Sequence, residues 1–186
     1  MAEQIVTPES ERLDELCQSL STMSAELEQP GVWPAEQLRL CADAGVFRWF
    51  VPKAYGGFEW SGSDIVRGYL KTSRACLTTT FVLTQLTGAV RRIAATENAE
   101  LRDRLMPELL DGQAFATLGI SHLTTSRQHL GRPALAAVEA DHGYTFNGLS
   151  PWVTGGCETQ YVVTGAAMDD GRQMLAVVPT DRPGVE

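Results

Sequence analysis

The spacing of apolar residues changes once along the chain, near Gly112, and this change sets strong limits on the fold. Before Gly112, apolar residues recur every three or four positions, as at Leu13, Leu16 and Leu20, which is the spacing of an amphipathic helix. After Gly112, short apolar runs alternate with turn sequences, as in paired strands. Helices followed by strands predict two segregated domains rather than a sheet wound with crossover helices.

The first part of the chain is expected to form five or six helices. The nearly uncharged stretch 77–95 predicts a helix that is central in its domain. Residues 55–58 (Y-G-G-F) predict a tight turn in which the backbone approaches a neighbour closely. Four apolar residues of the third helix are expected to face inward: Ile65, Val66, Tyr69 and Leu70.

The second part of the chain is expected to form at least four strands. Turn sequences at 141–143 and 169–171 lie between apolar runs and predict two hairpins. The expected fold class is therefore α+β with segregated domains: an all-α domain over residues 1–113 and part of an antiparallel β-barrel over residues 114–186. Because so few strands would leave exposed sheet edges, we expect the natural protein to continue beyond Glu186.

Composition excludes several classes of function. The net charge of −8, from 15 basic and 23 acidic residues, disfavours a nucleic-acid partner, which requires a basic face. Apolar runs are shorter than the roughly 20 residues that span a bilayer, and the N-terminus does not resemble a signal peptide, so we expect a cytoplasmic protein. Carboxylates and cysteines are not at ligand spacing from His122, His129 or His142, so no metal site is predicted.

Two segments contain residue types suited to a ligand. Residues 152–156 (W-V-T-G-G) suit a flat aromatic ligand, since an indole can cover one ring face while Thr154 forms a hydrogen bond. The alternative is that Trp152 packs in the β core. Residues 121–127 (S-H-L-T-T-S-R) combine hydroxyls with an arginine and suit a phosphate. The alternative there is a solvated loop of local side-chain-to-backbone hydrogen bonds.

Several segments, in order, resemble the acyl-CoA dehydrogenase family. Residues 51–57 (V-P-K-A-Y-G-G) are similar to the family pattern V-P-x-x-Y-G-G, and residues 97–112 are similar to a segment ending in L-P-x-L-x-x-G. Residues 147–156 are similar to N-G-x-K-x-W-I-T-N-G. The resemblance covers the chain from about residue 34 to the end.

This resemblance implies the front part of a three-part FAD enzyme that forms a homo-oligomer when complete. A C-terminal helical bundle, which this chain does not include, would supply the glutamate that removes the α-proton of an acyl thioester. The β-hydrogen would then pass to the flavin as a hydride. We therefore expect these 186 residues to have no catalytic activity alone, and no catalytic residue is assigned among them.

The resemblance also implies which residues meet FAD. Ser121, Trp152 and Thr154 would contact the flavin ring, and Ser126 and Arg127 would lie near the pyrophosphate. The family pattern T-E-P-G-x-G-S-D is replaced here by residues without glycine, 121–128. Two alternatives therefore stay open: a flavin monooxygenase of the same fold, supplied with reduced flavin by a partner reductase, or a non-catalytic remnant used for binding or assembly.

Overall fold

The computed structural model describes residues 3–124, 133–141 and 143–186. It consists of two compact units, Met1–Phe115 and Ala116–Glu186. Short 3₁₀ turns follow the first and second helices of the first unit. The α-helices of that unit are α1 (Glu11–Met23), α2 (Ala35–Asp43), α3 (Gly62–Ala75), α4 (Leu77–Ala94) and α5 (Ala99–Leu110).

The central position predicted for the fourth helix is confirmed. Ten of its 18 residues are buried, and Leu83, Leu86 and Val90 have no exposed surface. Its charges are confined to the last turn, at Arg91 and Arg92, where cations are favoured by the helix dipole. Among the described residues, no helix combines the length and apolar character needed to cross a lipid bilayer.

The inward face predicted for the third helix is wrong at two of four positions. Val66 and Leu70 are 56% and 54% exposed. The buried positions of α3 are instead Gly68 and Thr72. The cause is steric, because a Cβ at Gly68 would lie 2.5 Å from the Trp49 ring. The smallest residue faces the bulky indole, and the helix is rotated accordingly.

The turn predicted at residues 55–58 is confirmed. Gly56 has φ +82°, a left-handed conformation that glycine adopts without strain. The next residue makes the close approach, because a Cβ at Gly57 would lie 1.9 Å from the Val51 carbonyl oxygen. The chain after the turn runs back along the preceding segment, where the Phe58 amide donates to the Arg48 carbonyl at 2.7 Å.

Replacing Gly57 with alanine should lower the free energy of unfolding by about 1–3 kcal/mol, since a methyl group would displace the Val51 backbone. Gly62→Ala is the matched control, because a Cβ at Gly62, the first residue of α3, meets nothing within 4 Å. Chemical denaturation followed by circular dichroism measures both variants. Equal stability of the two would contradict this account of the turn.

The second unit contains one five-stranded sheet and a single-turn helix, α6 (Ser121–Thr124). Both predicted hairpins are confirmed, since β2 pairs with β3 and β4 pairs with β5, each antiparallel. No described helix after Gly112 is longer than one turn. The strands are β1 (Ala116–Gly119), β2 (Leu135–Ala140), β3 (Gly143–Gly148), β4 (Tyr161–Ala167) and β5 (Gln173–Pro179).

The prediction of a strictly antiparallel sheet is wrong, because the sheet is mixed. β1 runs parallel to β4, with Ala116 opposite Tyr161 and Gly119 opposite Thr164. β2 also pairs in parallel with β4, at Ala136 and Ala167. Parallel neighbours need a long connection, and the chain between β1 and β4, which contains the whole β2–β3 hairpin, provides one. Local turn sequences predict hairpins but do not determine how one hairpin pairs with other strands.

Candidate functional site

The loop that carries two of the predicted site residues lies across the end of β1. This segment, residues 149–155, is called the Trp152 loop below. Ser150 Oγ donates to the Gly119 carbonyl at 3.1 Å, and buried Thr164 Oγ1 donates to the same carbonyl at 2.7 Å. Buried Thr117 Oγ1 donates to the Thr154 carbonyl at 2.7 Å. The hydroxyls of Ser150 and Thr117 therefore join the loop to β1, and Thr164 Oγ1 on β4 lies 3.3 Å from Ser150 Oγ at the same point.

The absence of a side chain at Gly119 lets the loop lie directly on β1. A Cβ at Gly119 would be 2.8 Å from both Ser150 Oγ and Val153 Cγ2. Real Cβ atoms essentially never approach other atoms so closely. Glycine is thus required at position 119 because the loop packs closely on β1, and not because the backbone forms a turn there.

Trp152 is a solvent-facing residue, so the alternative in which it packs in the β core is wrong. Its side chain is 81% exposed, although large aromatic residues are usually well covered. Its φ of +61° lies in the left-handed region, where bulky residues are rare and the backbone is strained. An exposed indole held in a strained conformation contributes little to folding stability, and such residues cluster at ligand sites.

Ser121 lies beside the Trp152 loop. It begins α6, and its hydroxyl donates to the Pro151 carbonyl at 3.2 Å. A serine hydroxyl has one proton, so while this bond holds it can act towards a ligand only as an acceptor. The structure therefore brings Ser121 next to the residue that precedes Trp152.

Thr154 lies two residues further along the same loop and is half-buried. Its carbonyl is occupied by Thr117, whereas its hydroxyl makes no hydrogen bond within the described part of the chain. Three of the five predicted site residues, Ser121, Trp152 and Thr154, thus belong to one neighbourhood. The other two, Ser126 and Arg127, lie outside the described residues.

His122 is a buried residue of this neighbourhood to which the sequence analysis assigned no role. It is 7% exposed, and its Nε2 lies 2.6 Å from the Gly165 carbonyl oxygen on β4. Its Nδ1 is buried and has no hydrogen-bond partner among the described residues. Local sequence could not reveal this contact, since the partner lies 43 positions further along the chain. His129 and His142 lie outside the described residues.

Two titratable groups of the helical unit are held in their neutral forms. Burial raises the pKa of the Cys41 thiol far above its ordinary value. Burial also raises the pKa of Tyr69 to about 12, although its hydrogen bond with Thr87 acts in the opposite direction. Neither group can therefore act as an anionic nucleophile or base near neutral pH.

A cleft of about 440 Å³ in the helical unit does not contain the predicted site residues. Its charged lining residues are already paired: Arg12 with Glu15 at 2.8 Å, Asp43 with Arg39 at 2.7 Å, and Arg48 with Asp111. The lining of this cleft therefore offers no unpaired side-chain charge.

Comparison with known proteins gives the family of the chain. The model of the acyl-CoA dehydrogenase N-terminal domain matches residues 11–113, more than half of the chain. The oxygenase component of p-hydroxyphenylacetate 3-hydroxylase from Acinetobacter baumannii is 25% identical over 155 residues, which cover 83% of this chain and 33% of the relative. The chain thus spans about a third of the length of this relative.

Solved structures agree in fold. A glutaryl-CoA dehydrogenase from Mycobacterium smegmatis in complex with FADH2 has a TM-score of 0.74 at 17% identity, covering 95% of this chain and 47% of that one. The methanesulfinate monooxygenase MsuC from Pseudomonas fluorescens has a TM-score of 0.76 at 15% identity, covering 94% and 43%. The chain spans less than half of either structure. From the family match and the shared fold, this chain belongs to the acyl-CoA dehydrogenase family.

Proposed function

We propose that the complete protein binds a flavin, FAD in our proposal, at the Trp152 loop and oxidises a small organic substrate. The observation that carries this proposal is the exposed indole of Trp152, held at a strained φ of +61° beside Ser121 and Thr154. A large flat aromatic ligand would cover this indole, and its binding would offset the cost of the strain.

The residues present suit the two kinds of surface of an isoalloxazine. The ring face is apolar and matches the indole, whereas its polar edge carries both donors and acceptors. Thr154 offers a hydroxyl without a partner in the described part of the chain, and Ser121 offers an acceptor beside the same loop. These two hydroxyls would orient the ring edge, and the indole would exclude water from one face.

The diphosphate of FAD would be met by residues 126 and 127. Ser126 supplies a hydroxyl and Arg127 a guanidinium, which forms strong charge-assisted hydrogen bonds with phosphate. These contacts would replace the close backbone approach that glycines provide in the family pattern. Solved structures of this fold contain FADH2 in one case and FMN in another, so our preference for FAD rests on Arg127, a partner for the diphosphate that FMN lacks.

When bound, the flavin supplies the redox chemistry, either hydride acceptance or oxygen activation. For this chain we favour oxygenation of the substrate over dehydrogenation of an acyl thioester. The A. baumannii relative, an oxygenase component, aligns over 83% of the chain, and MsuC is a monooxygenase of this fold. The glycine-free residues 121–128 also depart from the pattern T-E-P-G-x-G-S-D of the acyl-CoA dehydrogenases. A reductase that delivers reduced flavin is then the proposed partner, with a homo-oligomer as the assembly.

The reaction class is tested with protein expressed from the complete reading frame. One assay combines reduced FAD, generated by NADH and a flavin reductase, with labelled oxygen and p-hydroxyphenylacetate or other phenols. A second, anaerobic assay combines acyl-CoA substrates with an artificial electron acceptor. We expect labelled oxygen in the product of the first assay. Enoyl-CoA formation in the second would establish dehydrogenation instead, and a colourless protein inactive in both would support the non-catalytic alternative.

Two substitutions should separate the ring contact from the phosphate contact. Thr154→Val is expected to weaken FAD binding by roughly tenfold or less, the effect of one neutral hydrogen bond. Arg127→Ala should weaken it more, and the difference from wild type should shrink as salt is added, because the lost interaction involves a charge. Isothermal titration of FAD into apo-protein at two salt concentrations measures both effects. Unchanged affinity in both variants would place the flavin elsewhere.

A further inference from the structure

A buried histidine contact holds α6 against the sheet. A carbonyl oxygen only accepts hydrogen bonds, so the 2.6 Å contact with Gly165 requires that His122 Nε2 carries the proton and donates it. The residue that follows packs on the same point of β4, since a Cβ at Gly165 would lie 2.2 Å from Leu123 Cδ1. The backbone of β4 at Gly165 is thus the surface on which α6 rests.

A helix as short as α6 depends on such contacts for its position. It comprises four residues, Ser121–Thr124, and one isolated helical turn is unfavourable because its nucleation fixes several backbone dihedrals for one hydrogen bond. Two side-chain hydrogen bonds join it to two different, later parts of the chain: Ser121 to the Pro151 carbonyl, and His122 to the Gly165 carbonyl. The first joins α6 to the Trp152 loop, and the second joins it to β4.

Stability alone does not explain an imidazole at this position. Its Nδ1 is buried without a partner among residues 3–124, 133–141 and 143–186, and a buried polar atom left unsatisfied destabilises the folded state. An apolar side chain of similar size would avoid this cost but would lose the bond to Gly165. The imidazole therefore provides a directed bond rather than burial.

We infer that His122 is a positioning residue of the proposed flavin site: by donating from Nε2 to Gly165, it fixes α6 and so holds Ser121 against the Trp152 loop. This inference rests on the proposed function. His122 itself is buried and acts through Ser121, which is the residue that meets the ring edge.

Two substitutions of His122 by residues with amide side chains distinguish a positioning role from a general contribution to stability. His122→Gln keeps a donor at about the reach of Nε2, whereas the shorter His122→Asn does not reach Gly165. Thr180→Val is the matched control, because Thr180 Oγ1 donates to the Thr159 carbonyl at 2.6 Å in the same unit. In protein from the complete reading frame, titration with FAD gives the affinity. Hydrogen exchange of the apo-protein gives the protection of the Leu123 amide, which bonds to the Ile120 carbonyl at 3.0 Å.

We expect His122→Asn to weaken FAD binding about tenfold, as the loss of one hydrogen bond would, and to speed exchange at Leu123. His122→Gln should restore both properties to near wild type, and Thr180→Val should change neither. Wild-type affinity in His122→Asn, or equal weakening in Thr180→Val, would overturn the inference while leaving the flavin site intact. A wild-type protein that binds no flavin would overturn the proposed function itself and the inference that rests on it.

Discussion

Replacing Trp49 with alanine is expected to lower the free energy of unfolding of the helical unit by about 3–5 kcal/mol, the range for deleting a fully buried aromatic side chain. Trp49 has no exposed surface. It stacks on Trp60 with ring centroids 4.2 Å apart, and its Nε1 donates to the Ile5 carbonyl at 3.1 Å. The substitution would therefore remove a stacked pair, leave a buried carbonyl unpaired and open a cavity beside Gly68.

Urea unfolding followed by far-ultraviolet circular dichroism measures this loss, since the helical unit supplies most of the helical signal. Trp49→Phe serves as the graded control, because it keeps much of the apolar volume and removes the indole donor. Its loss should be clearly smaller than that of the alanine variant. A change below about 1 kcal/mol in Trp49→Ala, the size typical of a surface substitution, would contradict the central role assigned to this side chain.

Trp152→Ala, unlike Trp49→Ala, is expected to affect ligand binding rather than stability. Because the indole is 81% exposed, its removal should change the unfolding free energy by less than about 0.5 kcal/mol. The positive φ is equally strained in alanine, so no backbone strain is relieved. FAD binding, in contrast, should weaken roughly 10–100-fold, on the order of the 1–3 kcal/mol measured for stacking a flat base on an aromatic side chain.

Titration of FAD into Trp152→Ala, together with its thermal melt, measures both parts of this prediction. Trp152→Phe should retain most of the affinity because it preserves an aromatic face. A large fall in melting temperature with unchanged affinity would show that Trp152 is a structural residue after all. The two tryptophans thus have separable roles, one in folding and one in the proposed ligand site.

Much of the fold could be predicted from the sequence because the governing interactions are local. Helical spacing predicts the buried centre of α4, and the glycines at 56 and 57 predict the tight turn. The hairpins follow from their turn sequences. The two wrong predictions concern contacts between residues far apart in the sequence. These contacts are the parallel pairing of β1 with β4, and the packing of Gly68 on Trp49, which sets the rotation of α3.

The residues of the candidate site also fall into two groups, those that could be predicted from the sequence and those that could not. Residue types alone indicate Trp152 and Thr154 as ligand contacts, and the family resemblance adds Ser121. The structure places the three in one neighbourhood. The residues that hold this neighbourhood together carry no local signal. The bond from Thr117 to the Thr154 carbonyl joins residues 37 positions apart, and the bond between His122 and Gly165 joins residues 43 positions apart. Hydroxyl and imidazole side chains are too common in sequences for such pairs to be recognised before the fold is known.

The measurement that tests the central claim most directly is isothermal titration of FAD, with FMN in parallel, into apo-protein from the complete reading frame, compared with Trp152→Ala and Thr154→Val. We expect saturable binding of one FAD per chain. FAD binding should weaken roughly 10–100-fold in Trp152→Ala and about tenfold or less in Thr154→Val, with all three proteins equally folded. Binding that is absent in the wild type, or unchanged in both variants, would contradict the assignment of the Trp152 loop as a flavin site.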